Sequence, residues 1–300
     1  MRELKIGERI PIEAGGEAVV SRELGRGGQG IVYLVRYNGR EYALKWYFIS
    51  RIKNPEAFRN NLRKNIEDGA PEGGKQFIWP LFLTETKKNG AFGYLMRLAP
   101  SGYESFTDIY NGYRWEKPRV KGQPARKIKV KFASLDVMLT AAINIVKAFR
   151  ALHLSGKSYQ DLNDGGFFID TRSGDVLADG DNFGIGGMPG FMAPEVVRGI
   201  AKPDVLTDRY SLAVVLFKLF FRGDPLEGSK VLQCVVMTEE NDLIHYGKDP
   251  VFIYDPNNAS NRPVNGVHDN VIKLWKIYPD FIREAFTLSF TYGIQEPNAR

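Results

Sequence analysis

The stretch GRGGQGIVYLVRYNGREYALKWYF, residues 25–48, decides the fold class of this chain. Its first part has the pattern G-x-G-x-x-G-x-V, formed by Gly25, Gly27, Gly30 and Val32. Such glycine-rich loops occur in more than one nucleotide-binding fold, and in the dinucleotide-binding type a helix follows the glycines directly. Here the chain continues instead as a run of alternating apolar and polar residues, which predicts a strand. We therefore predict a β-hairpin whose bare backbone can approach phosphates, with a plain hairpin turn as the alternative.

Lys45 lies in YALKWY, on the strand that follows the turn at Asn38-Gly39. An ammonium group on a buried strand is costly unless it meets anions, whereas a lysine that faces solvent carries no such cost. Ala43 shares the face of Lys45 because side chains alternate along a strand, and Val32 can join them beneath the hairpin. The combination favours a phosphate-binding lysine below a surface that covers an adenine ring.

The regions around this stretch predict a small β-rich part at residues 1–98. Residues 17–50 read as three antiparallel strands, and FIWPLFL and FGYLMRL read as two more. Asn54-Pro55 begins a helix that Gly69 ends.

Residues 99–300 predict a larger helical part, after a linker at Ala99 to Gly102. The predicted helices run from Ser134 to Leu154, from Asp204 to Arg222 and through DFIREAFTLSFTYG, and short strands are expected at 167–170 and 175–178. The predicted fold class is α+β, with a small β-rich lobe before a larger α-helical lobe.

The composition limits the classes of function. The chain has 300 residues, 43% of them hydrophobic, and a single cysteine, Cys234, which excludes an internal disulfide framework and fits a cytoplasmic protein. The longest apolar run, 210–221, is too short to span a bilayer, and the N-terminus has no apolar signal core, so we expect no membrane partner. Much of the net charge of +6 lies in the basic segment 117–131, whose pattern is more typical of a solvated loop than of a nucleic-acid site.

The ordered motifs of the chain resemble the eukaryotic-like protein kinase superfamily. These motifs are the glycine pattern, Tyr42-Ala43-Leu44-Lys45, Tyr159-Gln160-Asp161-Leu162, Asp179-Gly180-Asp181, Ala193-Pro194-Glu195 and Asp208 before an apolar helix. Each motif is weak alone, but their order and spacing extend over nearly the whole chain. GFMAPEVVRG and the C-terminal sequence also look like a bacterial branch of Ser/Thr kinase-like proteins.

The resemblance implies a role for each matching position. Asp161 would be the catalytic base that accepts the proton of the substrate hydroxyl, and Asp179 would bind the metal. The glycines, Val32, Ala43 and Lys45 would bind ATP, with Met96 as gatekeeper, Arg97 and Leu98 in the adenine-binding hinge and Phe168 beneath the adenine. Asp208 would accept backbone amides of the catalytic loop, and Glu195 would pair with Arg300.

Several positions depart from the family pattern. Gly166 stands where an asparagine usually holds a second metal, and Asn163 stands where a lysine usually faces the phosphates. Because Mg²⁺ requires oxygen ligands rather than one fixed residue, Asn163 or Asp181 could complete the metal site, and Asp164 and Asn182 are further candidates. Gly180 replaces the usual phenylalanine. The family pattern expects a glutamate of the helix at 55–68 to pair with Lys45, but the middle of this helix has no acidic residue. Either this ion pair is absent, or the helix register is shifted and Glu67 is the partner.

The activation segment is also unusual. Position 160 is Gln rather than Arg, and residues 180–193 contain no Ser, Thr or Tyr, so no phosphorylation switch of the common kind is expected there.

Three functions fit these residues. The favoured one is transfer of phosphate from ATP, with Mg²⁺ or Mn²⁺, to Ser/Thr hydroxyls of a protein substrate. A nucleotide-binding pseudokinase that acts as a signalling scaffold is the first alternative, because of Gly166 and Asn163. A small-molecule kinase of the same fold is the second, because the activation segment is short. The expected partners are ATP and a protein.

Overall fold

A computed structural model describes residues 3–116, 124–159, 162–163, 165–180 and 187–300 of the chain. The chain divides into two compact units. The first comprises Met1–Gly102 and Leu177–Gly184, and the second comprises Tyr103–Val176 and Ile185–Arg300. The first unit is mainly β-sheet and the second mainly helical, so the predicted α+β class is confirmed.

The strands of the described residues are β1 (Arg9–Pro11), β2 (Glu17–Arg26), β3 (Gly30–Tyr37), β4 (Arg40–Tyr47), β5 (Phe77–Ile78), β6 (Pro80–Leu83), β7 (Gly93–Met96), β8 (Tyr103–Ser105), β9 (Tyr113–Glu116), β10 (Arg126–Lys129), β11 (Phe167–Asp170) and β12 (Val176–Asp179). The α-helices are α1 (Pro55–Asp68), α2 (Phe106–Asn111), α3 (Leu135–Leu154), α4 (Pro194–Val197), α5 (Val205–Phe221), α6 (Glu239–Asp242), α7 (Asp269–Trp275), α8 (Asp280–Phe290) and α9 (Tyr292–Gln295). Short 3₁₀ turns lie at Ile49–Arg51, Val231–Gln233 and Pro297–Ala299, and Leu243–Lys248 is a π-helical turn.

The sheet of the first unit has the strand order β1-β2-β3-β4-β7-β6, and all its neighbours are antiparallel. The three strands predicted within residues 17–50 are β2, β3 and β4. Alternate residues such as Ile31, Val35 and Leu44 point into one apolar core and are fully buried there, which is the burial expected of a period of two.

The segment FIWPLFL forms two strands and not the single strand that its composition predicts. Pro80 begins β6, which pairs with β7 in the main sheet, whereas β5 leaves that sheet and pairs in parallel with β12. Proline lacks a backbone N–H and is tolerated at the start of a strand, so it marks the point where the chain changes partners. This division gives β12 a neighbour in the first unit.

Helix α1 has the limits that the sequence predicts. The side chain of Asn54 accepts a hydrogen bond from the Ala57 N–H, Pro55 is the first helical residue, and Gly69 ends the helix. The helix packs on the sheet through Phe58, whose ring lies edge-on to Tyr47. These features are the usual N-cap and C-terminal signals of a helix.

The second unit is built around α3 and α5. The side chain of Asp204 caps α5 in a reciprocal capping box with Thr207. Aromatic rings of α5 and of the segments that follow it pack together, namely Phe217, Phe221, Phe252, Trp275, Phe286 and Phe290. Helix α3 is long and apolar enough to cross a membrane, but Ala141, Ile145 and Phe149 are among its buried residues, a pattern that is also typical of a core helix.

The basic segment 117–131 is not entirely a loop. Residues Arg126–Lys129 form β10, which pairs with β9 as an antiparallel hairpin. Residues 117–123 lie outside the described part of the chain. The basic composition of this segment indicated a loop, but long basic side chains can also line the exposed face of a sheet.

An ion pair joins α4 to the end of the chain, as the sequence predicts. Arg300 Nη1 lies 2.6 Å from Glu195 Oε1, and Nη2 lies 3.0 Å from Oε2. The two side chains are only 1% and 11% exposed. The bidentate geometry is the strongest form of such a pair.

Arg300→Ala should lower the free energy of unfolding by about 3–5 kcal/mol, because the Glu195 carboxylate would stay buried without its partner. Urea denaturation measures this loss. The matched control is Arg9→Ala, which removes one partner of the exposed Arg9–Glu17 pair and should cost no more than about 1 kcal/mol. Equally small losses in both variants would contradict a stabilising role for the buried pair.

Candidate nucleotide and catalytic site

Four of the predicted ATP-binding residues of the first unit share one face of the sheet. Val32 lies directly opposite Lys45 in the β3–β4 register, and Ala43 lies opposite Met96 in the β4–β7 register. Directly opposed residues point to the same side, so Val32, Ala43, Lys45 and Met96 form one surface. The next residue, Trp46, points to the other side and lies in the core.

The glycine turn between β2 and β3 lies at the edge of this surface. The Gly27 N–H donates to the Gly30 carbonyl at 2.9 Å, and the Phe48 N–H donates to the Gln29 carbonyl at 2.8 Å. A Cβ atom at Gly30 would be 2.3 Å from the Trp46 carbonyl oxygen, whereas one at Gly25 or Gly27 would meet nothing within 4 Å. Of these three glycines, packing therefore requires only Gly30, and the open space beside the other two leaves their backbone accessible to a ligand.

Lys45 and Asp179 form an ion pair within the first unit. Their Nζ and Oδ2 atoms are 3.7 Å apart, and their side chains are 12% and 20% exposed. Asp179 reaches this position because β12 pairs in parallel with β5, where Asp179 lies opposite Ile78. The opposite charges offset part of the cost of removing each group from water. The pair brings together the two residues to which the resemblance assigns phosphate and metal binding.

Gly180 has a packing reason that the sequence does not reveal. Its N–H donates to the Ile78 carbonyl at 3.1 Å. A Cβ atom at this position would be 2.5 Å from the same carbonyl oxygen and 2.8 Å from the Trp79 Cα. Glycine stands here in place of the usual phenylalanine because a residue with a Cβ atom would overlap the backbone at Ile78 and Trp79.

The remaining predicted metal ligands are only partly described. Asp181, Asp164 and Asn182 lie outside the described residues. Asn163 lies in the second unit, and its Oδ1 accepts a hydrogen bond from the Gly165 N–H at 2.8 Å. Among the described residues no group of three His, Cys, Asp or Glu side chains forms a metal cluster. Among the described candidates, the Asp179 carboxylate and the Asn163 amide supply the kind of oxygen donor that a magnesium ion requires.

The predicted hinge and adenine-contacting residues have defined neighbours. Met96 is 6% exposed on β7. Arg97 directs its guanidinium to the carbonyls of Lys75 and Phe77, and Leu98 follows it, half-buried. Phe168 on β11 is half-buried, in contrast to the fully buried residue before it. Their roles towards adenine stay predictions.

Glu67, considered as the helical partner of Lys45, is exposed near the end of α1. Asn65, two residues before it, is buried, and its backbone carbonyl accepts from the Trp79 indole N–H at 2.8 Å. This hydrogen bond ties the C-terminal half of α1 to the chain between β5 and β6. A carboxylate beside Lys45 comes instead from β12.

The predicted catalytic base, Asp161, and the preceding Gln160 lie outside the described residues. The support for the start of their loop is described, however. The Asp208 carboxylate, 2% exposed, accepts the Tyr159 N–H at 2.6 Å and lies 3.0 Å from His153 Nε2. The prediction that Asp208 holds a backbone amide of this loop is confirmed at Tyr159. No motif pointed to His153, which lies in the last turn of α3.

The glycine turn can be tested by two matched substitutions. Gly30→Ala should lower the free energy of unfolding by about 1–3 kcal/mol, because its Cβ would overlap the β4 backbone. Gly27→Ala should leave stability nearly unchanged and reduce the rise in melting temperature that ATP produces. Thermal unfolding with and without ATP measures both effects. An unchanged ATP effect in Gly27→Ala would remove the turn from the binding site.

Gly180→Phe, which restores the usual family residue, should destabilise the protein by at least about 1–3 kcal/mol and should not improve nucleotide binding. The reason is the close approach of the Ile78 carbonyl. Gly25→Ala, with open space at its Cβ, is the stability control, and urea denaturation compares the two. A Gly180→Phe protein as stable as the control would show that β5 and β12 are not packed as described.

Comparisons with known proteins agree with this architecture. No protein-family profile matches the chain. The chain is 24% identical over 259 residues to a protein named protein kinase YegI of Escherichia coli K12, over 81% of this chain and 38% of that protein. It is 26% identical over 252 residues to ribosomal protein S6 kinase alpha-4 of mouse, over 76% of this chain and 29% of that protein. The chain thus spans well under half the length of these relatives.

Solved structures of the kinase domain of PknI from Mycobacterium tuberculosis are similar in fold. A mutant of this domain with one cysteine replaced by alanine gives a TM-score of 0.53 at 19% identity, covering 75% of this chain and 80% of that domain. The unmutated domain gives 0.52 at 18% identity, with 75% and 78% coverage. These structures show that the chain has the fold of a protein kinase domain, and the relatives to which its sequence is similar are named protein kinases.

Proposed function

We propose that the chain is an ATP-dependent protein kinase that transfers phosphate to Ser or Thr hydroxyls with Mg²⁺ or Mn²⁺. The observation that carries this proposal is the Lys45–Asp179 ion pair, in which Lys45 shares a face of the sheet with Val32 and Ala43. The Lys45 ammonium can then bind phosphates and the Asp179 carboxylate can bind a metal, beside an apolar surface that can contact the adenine ring. Electrostatic positioning of this kind supplies most of the catalysis in phosphoryl transfer.

Each residue has one role in this scheme. Magnesium-bound ATP would supply the phosphoryl group. Lys45 would bind phosphate oxygens, Asp179 would bind the metal, and Asn163 or Asp181 would complete its oxygen ligands. The open backbone at Gly25 and Gly27 would face the phosphates.

Asp161 is the proposed base, because its carboxylate can accept the proton of the attacking hydroxyl and orient the oxygen. The support for this role is the fixed start of its loop: Asp208 holds the Tyr159 amide two residues before it. A buried, hydrogen-bonded anchor restricts the backbone at Tyr159, which precedes Gln160 and Asp161 in the sequence. The Tyr159 ring is fully buried and packs against Phe149 and Phe167, which strengthens the anchor.

A nucleotide-binding pseudokinase is the second candidate, and Gly166 is the observation that favours it. This residue occupies the position at which the family usually places a metal-binding asparagine, and it is buried. Glycine offers no side-chain oxygen, so one metal ligand must come from elsewhere or be lost. If this metal ligand is lost, the chain would bind ATP without transferring phosphate and would signal by contact with a partner.

The test is transfer from γ-labelled ATP, with Mg²⁺ or Mn²⁺, to the protein itself and to a generic basic protein substrate. Asp161→Asn should reduce transfer by about 10²- to 10⁴-fold, the usual contribution of a general base, while ATP still raises the melting temperature. Lys45→Met should reduce both transfer and the ATP-induced rise in melting temperature.

Two substitutions at exposed positions serve as matched controls. Asp136→Asn makes the same chemical change on the surface of α3, and Lys64→Met makes it on the surface of α1; both should keep full transfer. Undiminished transfer by Asp161→Asn would exclude it as the base. No transfer by the unmodified chain, with ATP still raising the melting temperature, would favour the pseudokinase.

A further inference from the structure

The β9–β10 hairpin of the second unit has no role in the proposed catalysis, yet one of its faces has a distinct composition. In the register of the hairpin Trp115 lies opposite Lys127, and Tyr113 lies opposite Lys129. Directly opposed residues of an antiparallel pair point to the same side. These four side chains therefore form one surface, called here the aromatic–lysine face.

The base of the hairpin is fixed to the helical unit. The Val130 N–H donates to the Gly112 carbonyl at 2.9 Å, and Val130 is buried. Gly112 ends α2 in the left-handed conformation, and the Arg222 guanidinium donates to the Tyr110 carbonyl just before it. The aromatic–lysine face is thus presented by an anchored sheet and not by a free loop.

The aromatic–lysine face is exposed and ordered by its own contacts. Lys127 Nζ lies 3.7 Å from the centre of the Tyr113 ring, and the Tyr113 and Trp115 rings meet edge-on at 6.1 Å. Trp115 is 61% exposed, so its ring presents apolar surface to solvent beside the two lysines. The cation–π contact holds the Lys127 ammonium on the surface without neutralising its charge.

The carboxylates near the hairpin belong to its opposite face. Arg114 Nε lies 3.0 Å from Glu104 Oε2, and Arg114 Nη1 lies 3.9 Å from Glu116 Oε1. Arg126 lies opposite Glu116 in the register and shares that face. The two faces therefore differ in charge: one carries arginines beside carboxylates, and the aromatic–lysine face carries two lysines.

The outer edge of β10 offers a second means of recognition. Within the described residues the sheet consists of β9 and β10 alone, so the outer backbone groups of β10 face away from its partner strand. An extended peptide can add to such an edge through its own backbone N–H and C=O groups. Lys127 and Lys129 are two residues apart, about 6.6–6.8 Å along a strand, which equals the spacing of alternate side chains in an added peptide.

We propose that this hairpin docks extended, acidic segments of partner proteins. The segment would add along β10 and place carboxylates at alternate positions beside Lys127 and Lys129. Nucleic acid is less suited, because it has no peptide backbone to pair with the strand edge. The proposal concerns where a protein partner binds and is separate from phosphate transfer.

Binding is measured by the fluorescence anisotropy of a labelled peptide of alternating Glu and Thr, added to the full chain at low salt without ATP. Lys127→Ala and Lys129→Ala should each weaken binding about two- to fivefold, because each removes one exposed charge pair. Arg126→Ala is the matched control, since it removes the same charge from the same strand on the opposite face, and it should leave binding unchanged.

Two further probes test the mode of binding. The same peptide with alternate backbone N-methyl groups should lose most of its affinity, because it cannot pair along an edge, and an oligothymidylate of equal charge should bind more weakly than the unmodified peptide. Equal losses in Arg126→Ala and Lys127→Ala, tighter binding of the oligothymidylate, full binding of the N-methylated peptide or no binding of the acidic peptide would each overturn the proposal. Because no ATP is present, none of these results depends on kinase activity.

Discussion

A lysine on a buried strand needs an anion, and the rest of the first unit is arranged around that need. Lys45 shares its face with Val32 and Ala43, and the Asp179 carboxylate reaches its ammonium group. That carboxylate comes from more than a hundred residues further along the chain. The fold must therefore bring β12 to β5 before Asp179 can offset the charge of Lys45, and before phosphate and metal can be bound side by side.

Close backbone contacts make this placement specific. Gly30 and Gly180 both lie where a Cβ atom would overlap a neighbouring strand, at the Trp46 carbonyl and at the Ile78 carbonyl. One glycine allows β3 to pack against β4 beneath the turn, and the other allows β12 to continue past β5 just after Asp179. A motif residue that looks like a loss in the sequence is thus required by packing, whereas Gly25 and Gly27 leave space for a ligand.

Much of this was predictable from the sequence, and the failures have physical causes. The hairpin face, the limits of α1 and the Glu195–Arg300 pair followed from period, capping signals and motif order, because each depends on local pattern or on a shared fold. The division of FIWPLFL between two sheets, the contact of His153 with Asp208 and the β10 strand did not follow. Each depends on a partner outside its own segment, and alternation or charge along one segment cannot identify that partner. The placement of Asp161 stays a prediction.

The most direct test of the central claim is a calorimetric titration of ATP into the chain, with Mg²⁺ and with a chelator. The unmodified chain should bind ATP more tightly with Mg²⁺, and Asp179→Asn, which keeps the shape of the side chain but removes its charge, should lose that difference. Asp136→Asn should retain it. If Asp179→Asn binds ATP with the same dependence on Mg²⁺ as the unmodified chain, the Lys45–Asp179 pair is not the phosphate and metal site.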